Sequence, residues 1–143
     1  MSAEAVAIAL GGRRTLHADV HSDLDLAAAA MDGISADAAQ KVVDGGLLSP
    51  EELYALVIPR RTFDRRREDK QPLTIVEADR LLRAVRVIVR AIDALGNADN
   101  ARTWLRTANR SLRGLVPLSL LETDIGARTV ERTLGRLEHG VYS

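Results

Sequence analysis

The sequence contains no cysteine, one phenylalanine, one tryptophan and two tyrosines among its 143 residues. Without thiols there is no disulfide, no thiolate metal site and no cysteine nucleophile. Long hydrophobic runs are also missing: none approaches the roughly 20 apolar residues needed to cross a bilayer. The apolar start, Met1 to Leu10, lacks a basic flank and is too short for a signal peptide, so the expectation is a cytoplasmic protein with no membrane partner. Net charge is absent as well, since 20 basic residues balance 20 acidic ones. Bulk charge therefore calls for no polyanion. Lysine is scarce: only Lys41 and Lys70 accompany 18 arginines. Arginine's planar fork suits phosphate and base edges, although a GC-rich genome produces the same bias.

What is present is charge that is segregated along the chain. Residues 1–50 hold seven acids against Arg13, Arg14 and Lys41, a net of −4. Residues 60–70 hold six bases against Asp64, Glu68 and Asp69, a net of +3. The first 22 residues show Gly11-Gly12 and no sustained period, which predicts a mobile arm. His17 and His21 lie four apart, but no third ligand or rigid frame accompanies them, so no metal site is expected.

Helix punctuation is clear from there on. An alanine-rich helix is predicted over 23–31, stopped by Gly33, and Ser35 opens a second one through Asp44. Ser49-Pro50-Glu51-Glu52 combines an N-cap, a first-turn proline and a capping box. That helix must stop before Pro59, because the proline ring pushes Ile58 out of the helical region. Another begins at or near Pro59 and runs to about Asp69. Two helices joined by so tight a turn form a helix-turn-helix unit. In such a unit the second helix enters the major groove of DNA. Its candidate DNA-binding residues are Arg60, Arg61, Thr62, Arg65 and Arg66, while Phe63 faces inward. The competing reading is a solvated face of internal ion pairs among Arg, Asp64, Glu68 and Asp69.

Thr74-Ile75-Val76-Glu77 is a second capping box and opens the longest helix, to about Leu95. Its apolar stripe includes Leu81, Val85, Ile88 and Ile92; Arg80, Arg83, Arg86 and Arg90 on its flank read as solvated surface, with a phosphate contact or an interface rim as the alternatives. Asp99 or Asn100 is expected to cap the next helix, with Trp104 and Leu105 in the core. Pro117 opens a short helix. The last one, capped by Thr123 or Asp124, carries Ala127, Val130, Leu134 and Leu137 on one face and stops at Gly140. The total is about seven helices and no strand.

The order Trp104-Leu105, Asn109, Leu112, Gly114, Pro117-Leu118, Leu121, Thr123, Gly126, Val130, Leu134 and Glu138-His139-Gly140-Val141 resembles the toxin-binding domain of Xre/MbcA/ParS-type antitoxins. The stretch Ile58-Pro59-Arg60-Arg61-Thr62-Phe63-Asp64-Arg65-Arg66 is close to the recognition helix that the family carries. Ala108 and Arg113 depart from it, standing where proline and glycine are usual. The resemblance implies an all-α fold, with an N-terminal Xre-like helix-turn-helix bundle joined by a long helix to a small helical toxin-binding domain. The expected organisation is an arm at 1–22, a DNA-binding domain at 23–95 and a toxin-binding domain at 96–143.

It further implies the antitoxin of a type II pair, with a RES-domain, NAD-using toxin and operator DNA as partners and a homodimer as the assembly. Toxin contact is expected at His139, Gly140, Val141, Tyr142 and Ser143, where a rigid aromatic ring and a terminal carboxylate follow the helix stop. The alternative is a stand-alone regulator whose C-terminal half only dimerises. No nucleophile–base pair, phosphate loop or metal constellation points to an enzyme, and no cofactor is expected.

Overall fold

The computed structural model describes residues 2–140 and divides them into two compact units, 2–85 and 86–140. In the first unit, Ser2 caps helix α1 (Ala3–Ala9) by accepting a hydrogen bond from the Ala5 amide. Gly11 and Gly12, at φ 104° and 66°, reverse the chain into α2 (Arg13–Leu16). The buried Thr15 hydroxyl donates 2.6 Å to the Leu10 carbonyl and closes this corner. Val6, Leu10, Leu16 and Val20 are all buried.

Residues 2–22 thus hold two short packed helices where the sequence suggested an arm. Their apolar residues are shared between two short helices and a reversal, so no single period runs through them.

Helices α3 (Asp23–Asp32) and α4 (Asp37–Asp44) follow. Ser22 caps the first, and Gly33 ends it at φ 112° with its α-carbon lying close to Pro72. Then come α5 (Pro50–Leu56), α6 (Arg60–Glu68) and α7 (Ile75–Leu95). Ile34, Ala38, Val42, Leu48, Leu53, Ile58, Phe63 and Leu81 make the core of this unit. By transfer energies, each large side chain so buried contributes about 1.5–3 kcal/mol before chain entropy is counted.

The division between units falls inside α7, between Val85 and Arg86, and not at the Gly96 turn where the composition changes. Val87, Ile88 and Ala91 on the second half of α7 are as deeply buried as Leu81 and Val85 on the first.

In the second unit Gly96, at φ 95°, ends α7, and α8 (Ala98–Leu105) is capped by Asn97. Asp99 and Asn100 were the expected caps; Asn97 takes the role because it already stands in extended geometry and accepts the Asn100 amide at 2.8 Å. Leu105 is buried, whereas Trp104 is only half-buried and so is not the deep anchor that its size suggested.

The Asn109 side chain then accepts the Ser111 amide, and Arg113 adopts φ 58°. That left-handed conformation explains why glycine is usual at this position in the family that the chain resembles. A 3-10 helix, Pro117–Glu122, leads to Thr123, which caps α9 (Asp124–Glu138). Among the described residues there are nine α-helices and no sheet, only the isolated bridges Ser35–Pro72 and Asn109–Leu115. The two α-helices beyond expectation at the N-terminus are α1 and α2.

Gly126 governs how α9 meets the 3-10 helix. A Cβ there would collide with the backbone carbonyl of Leu120, which cannot swing aside as a side chain would. Gly126→Ala should therefore lower stability by about 2–3 kcal/mol, as overpacking against fixed atoms does. Thermal unfolding measures this, and an unchanged midpoint would contradict the close approach.

Candidate functional site

Helix α5 has the predicted capping box: the Glu52 amide donates to Ser49 Oγ at 3.1 Å, and the Ser49 amide to Glu52 Oε1 at 2.8 Å. It ends where Val57 and Ile58, both buried, hand the chain to Pro59 in extended geometry. Three residues then separate α5 from α6, the tight turn that the sequence implied.

The rotation of α6 about its axis is fixed by buried Phe63, part-buried Arg66 and the more exposed Arg67. Phe63 is buried, with its ring centroid 6.4 Å from that of Tyr54. The Arg67 guanidinium lies 5.5 Å over the Phe63 ring, with Nε donating to Asp37 and Nη1 to Gln40, each at 3.1 Å. Arg66 reaches across to α7, donating from Nε and Nη2 to the two oxygens of Glu77, both at 3.1 Å.

Arg66 was a candidate DNA contact, and the structure turns it away from the outer face. Its side chain is 18% exposed and that of Glu77 12%. Glu77 Oε1 also accepts the Thr74 amide at 2.9 Å, so one carboxylate both caps α7 and holds α6. The Thr74–Glu77 capping box was visible in the sequence. That its carboxylate also serves a residue eleven positions earlier was not, because pairing between helices leaves no local pattern.

With Phe63 and Arg66 turned in and Arg67 laid along the Phe63 ring, helical spacing puts Arg61, Asp64, Arg65 and Glu68 outward, and all four are exposed. Arg61 and Arg65 form no ion pair or side-chain hydrogen bond among the described residues. Arg60 lies 3.8 Å from Asp64, and Thr62 is partly buried at the flank. The structure thus brings Arg60, Arg61 and Arg65 together and removes Arg66 from the group.

In the second unit α9 buries Gly126, Ala127, Val130, Thr133 and Leu134. Arg86 and Arg90, read as solvated surface, instead reach α9: Arg86 lies 3.9 Å from Glu131 and Arg90 3.0 Å from Glu138. Gly135 makes room for the Arg90 guanidinium, since a Cβ there would stand 3.1 Å from its Nη2. His139 ends α9, and Gly140 leaves it at φ 70°, the left-handed stop that the sequence predicted. Both are exposed. Val141, Tyr142 and Ser143, the remainder of the candidate toxin-binding tail, lie outside the described residues.

Residues 25–86 match the model of the antitoxin Xre-like helix-turn-helix domain, and residues 90–140 that of the antitoxin Xre/MbcA/ParS C-terminal toxin-binding domain. A protein named antitoxin Xre from Pseudomonas putida is 34% identical over 122 residues, covering 85% of this chain and 76% of that one. The chain belongs to the Xre antitoxin family. Two further Xre antitoxins, from Yersinia enterocolitica and Photorhabdus laumondii, are 44% identical over 94 residues and 38% over 84. Those matches span 65% and 58% of this chain and 64% and 57% of theirs, so the likeness to these two is partial.

Within the Xre antitoxin frame, α5 and α6 lie inside the helix-turn-helix match, and α8 and α9 inside the toxin-binding match. The first match ends at residue 86 and the second begins at residue 90, both within α7 and close to the division between the compact units.

Burial pushes the Glu77 carboxyl up, but hydrogen bonds from Arg66 and from Thr74, with the guanidinium charge, outweigh it and hold the group below the ordinary carboxylate range. The bond to Glu77 in turn holds Arg66 above its ordinary value, against the effect of burial. A depressed acid contributes stability that is complete above its unfolded value of about 4.3 and is lost as pH falls through the folded value. Glu77→Gln should therefore lower stability at neutral pH and flatten the acid limb of the stability profile. Denaturant melts between neutral pH and strong acid measure this, and an unchanged acid limb would contradict it.

Proposed function

We propose that this chain is the antitoxin of a RES–Xre pair. It binds and neutralises a RES-domain toxin that uses NAD, either to ADP-ribosylate a target or to degrade the dinucleotide, by covering the active site. It also binds its own promoter, as a homodimer, through α6. The observation that carries this reading is the coincidence of two matched domains with two units of matching architecture: outward Arg61 and Arg65 on a second helix after a tight turn, and a separate helical unit whose last helix stops at Gly140. Inhibition is steric in this scheme. Tyr142 supplies a rigid apolar ring with one polar tip, a composition favoured at interface hot spots.

On DNA, Arg61→Ala or Arg65→Ala should each cost about 1–3 kcal/mol of specific binding if the guanidinium reads a base edge. Affinity should fall steeply with salt as neutralised phosphates release counterions. A mobility-shift titration on the DNA upstream of the reading frame reads both effects. Unchanged binding in the double variant would remove α6 from the interface.

On the toxin, truncation after Gly140 should leave folding and DNA binding intact but raise the NAD consumption that persists at saturating antitoxin. Identical inhibition curves for the full chain and the 1–140 form would rule out the tail as the blocking element.

A further inference from the structure

Helix α9 has a second face, opposite the one it buries. Ile125, Arg128, Thr129, Arg132 and Arg136 recur at three- and four-residue spacing, within about 100° of arc on an ideal helix. Ile125 is 74% exposed, an uncommon position for an isoleucine flanked by charge. Arg128 is answered by Asp124 at 2.9 Å. Arg132 and Arg136 make in-helix contacts only to the Thr129 and Thr133 hydroxyls, at 3.3 and 3.4 Å, and neither has a carboxylate partner among the described residues.

The contrast with Arg86 and Arg90 is informative, because those two reach Glu131 and Glu138 on the same helix. The acids of α9 are therefore engaged by other cations, and among the described residues Arg132 and Arg136 are left without a carboxylate. Residues 86–140 carry nine bases and six acids, whereas residues 2–85 carry eleven and fourteen. The positive excess sits on the unit that matches the toxin-binding domain.

We propose that this outer face of α9, centred on Arg132 and Arg136 with Ile125 as its apolar anchor, is the docking surface for the toxin, and that it engages carboxylates on an acidic patch of that protein. The inference rests on the toxin-binding reading above and adds where the two proteins meet. Two guanidiniums one helical turn apart fit a pair of carboxylates, each through a two-pronged hydrogen bond that lysine cannot reproduce. An exposed isoleucine beside them supplies the area that excludes water around those bonds. Complementary charge of this kind acts mainly on the association rate. The face and the tail then have different tasks: the face captures the toxin and the tail blocks its cleft.

The test uses the full chain and a purified RES-domain toxin in surface plasmon resonance, with mobility shift on promoter DNA and thermal melting in parallel. Arg132→Glu combined with Arg136→Glu should slow toxin association by about 10–100-fold at low salt. Melting and DNA affinity should stay unchanged, since the face is exposed and lies outside the helix-turn-helix match. Ile125→Ala, which introduces no charge and so tests the face even if charge reversal unfolds the chain, should weaken toxin binding by about tenfold. Arg132→Lys with Arg136→Lys should associate at nearly the native rate but dissociate faster. Unchanged toxin affinity in a folded glutamate variant would overturn the proposal. So would lost DNA affinity with toxin binding intact, which would make the face a nucleic-acid contact. Failure of the native chain to bind the toxin would overturn the functional reading and this inference with it.

Discussion

The Glu77 carboxylate is the point on which the first unit turns. It accepts the Thr74 amide, which starts α7, and two hydrogen bonds from Arg66, which belongs to α6. Hydrogen bonds to charged groups contribute about 1.5–3 kcal/mol each, more than an exposed ion pair, and losing either partner leaves the other charged and sheltered from water. The geometric consequence is larger than the energetic one. Two fork bonds to one carboxylate fix both the position and the rotation of α6, and the Phe63 ring under Arg67 fixes them again. Arg61 and Arg65 point outward because Arg66 and Arg67 cannot.

Four arginines within seven residues thus do two kinds of work. Arg66 and Arg67 are structural cations, each bound to an acid on another helix. Arg61 and Arg65 have no such partner among the described residues. The same division recurs in the second unit, where Arg86 and Arg90 reach acids of α9 while Arg132 and Arg136 do not. In both places an acid on a neighbouring helix decides which arginines are available to an external ligand. The near-absence of lysine fits this arrangement, because a planar fork holds a neighbouring helix in one orientation and a flexible ammonium does not.

Much of this fold was legible in the sequence where the signal is local. The two capping boxes, the Pro59 break, the Gly33 and Gly140 stops and the inward Phe63 all follow from residues within one turn of each other. What was hidden depends on distance or on competition. Residues 2–22 bury Val6, Leu10, Leu16 and Val20 across a glycine reversal, which erases periodicity. Asn97, Asp99 and Asn100 are all capable caps, and backbone geometry after Gly96 chose the first. Gly126 reads as a weak helix former until the Leu120 carbonyl is placed against it. That Arg61 and Arg65 share an exposed face of α6 was legible from helical spacing, whereas the turn of Arg66 to Glu77 required the structure.

The central claim is that α6 meets DNA with the face opposite Phe63 and Arg66. The cysteine-free chain allows a direct measurement. A single cysteine at Glu68, on the outer face beside Arg61 and Arg65, can carry a tethered iron chelate that cleaves nearby DNA, with Met31→Cys on α3 as the exposed comparison. The account predicts a discrete cluster of cuts on the promoter fragment from position 68 and none from position 31. Cuts from position 31 alone, or from neither position on DNA that the protein demonstrably binds, would contradict it.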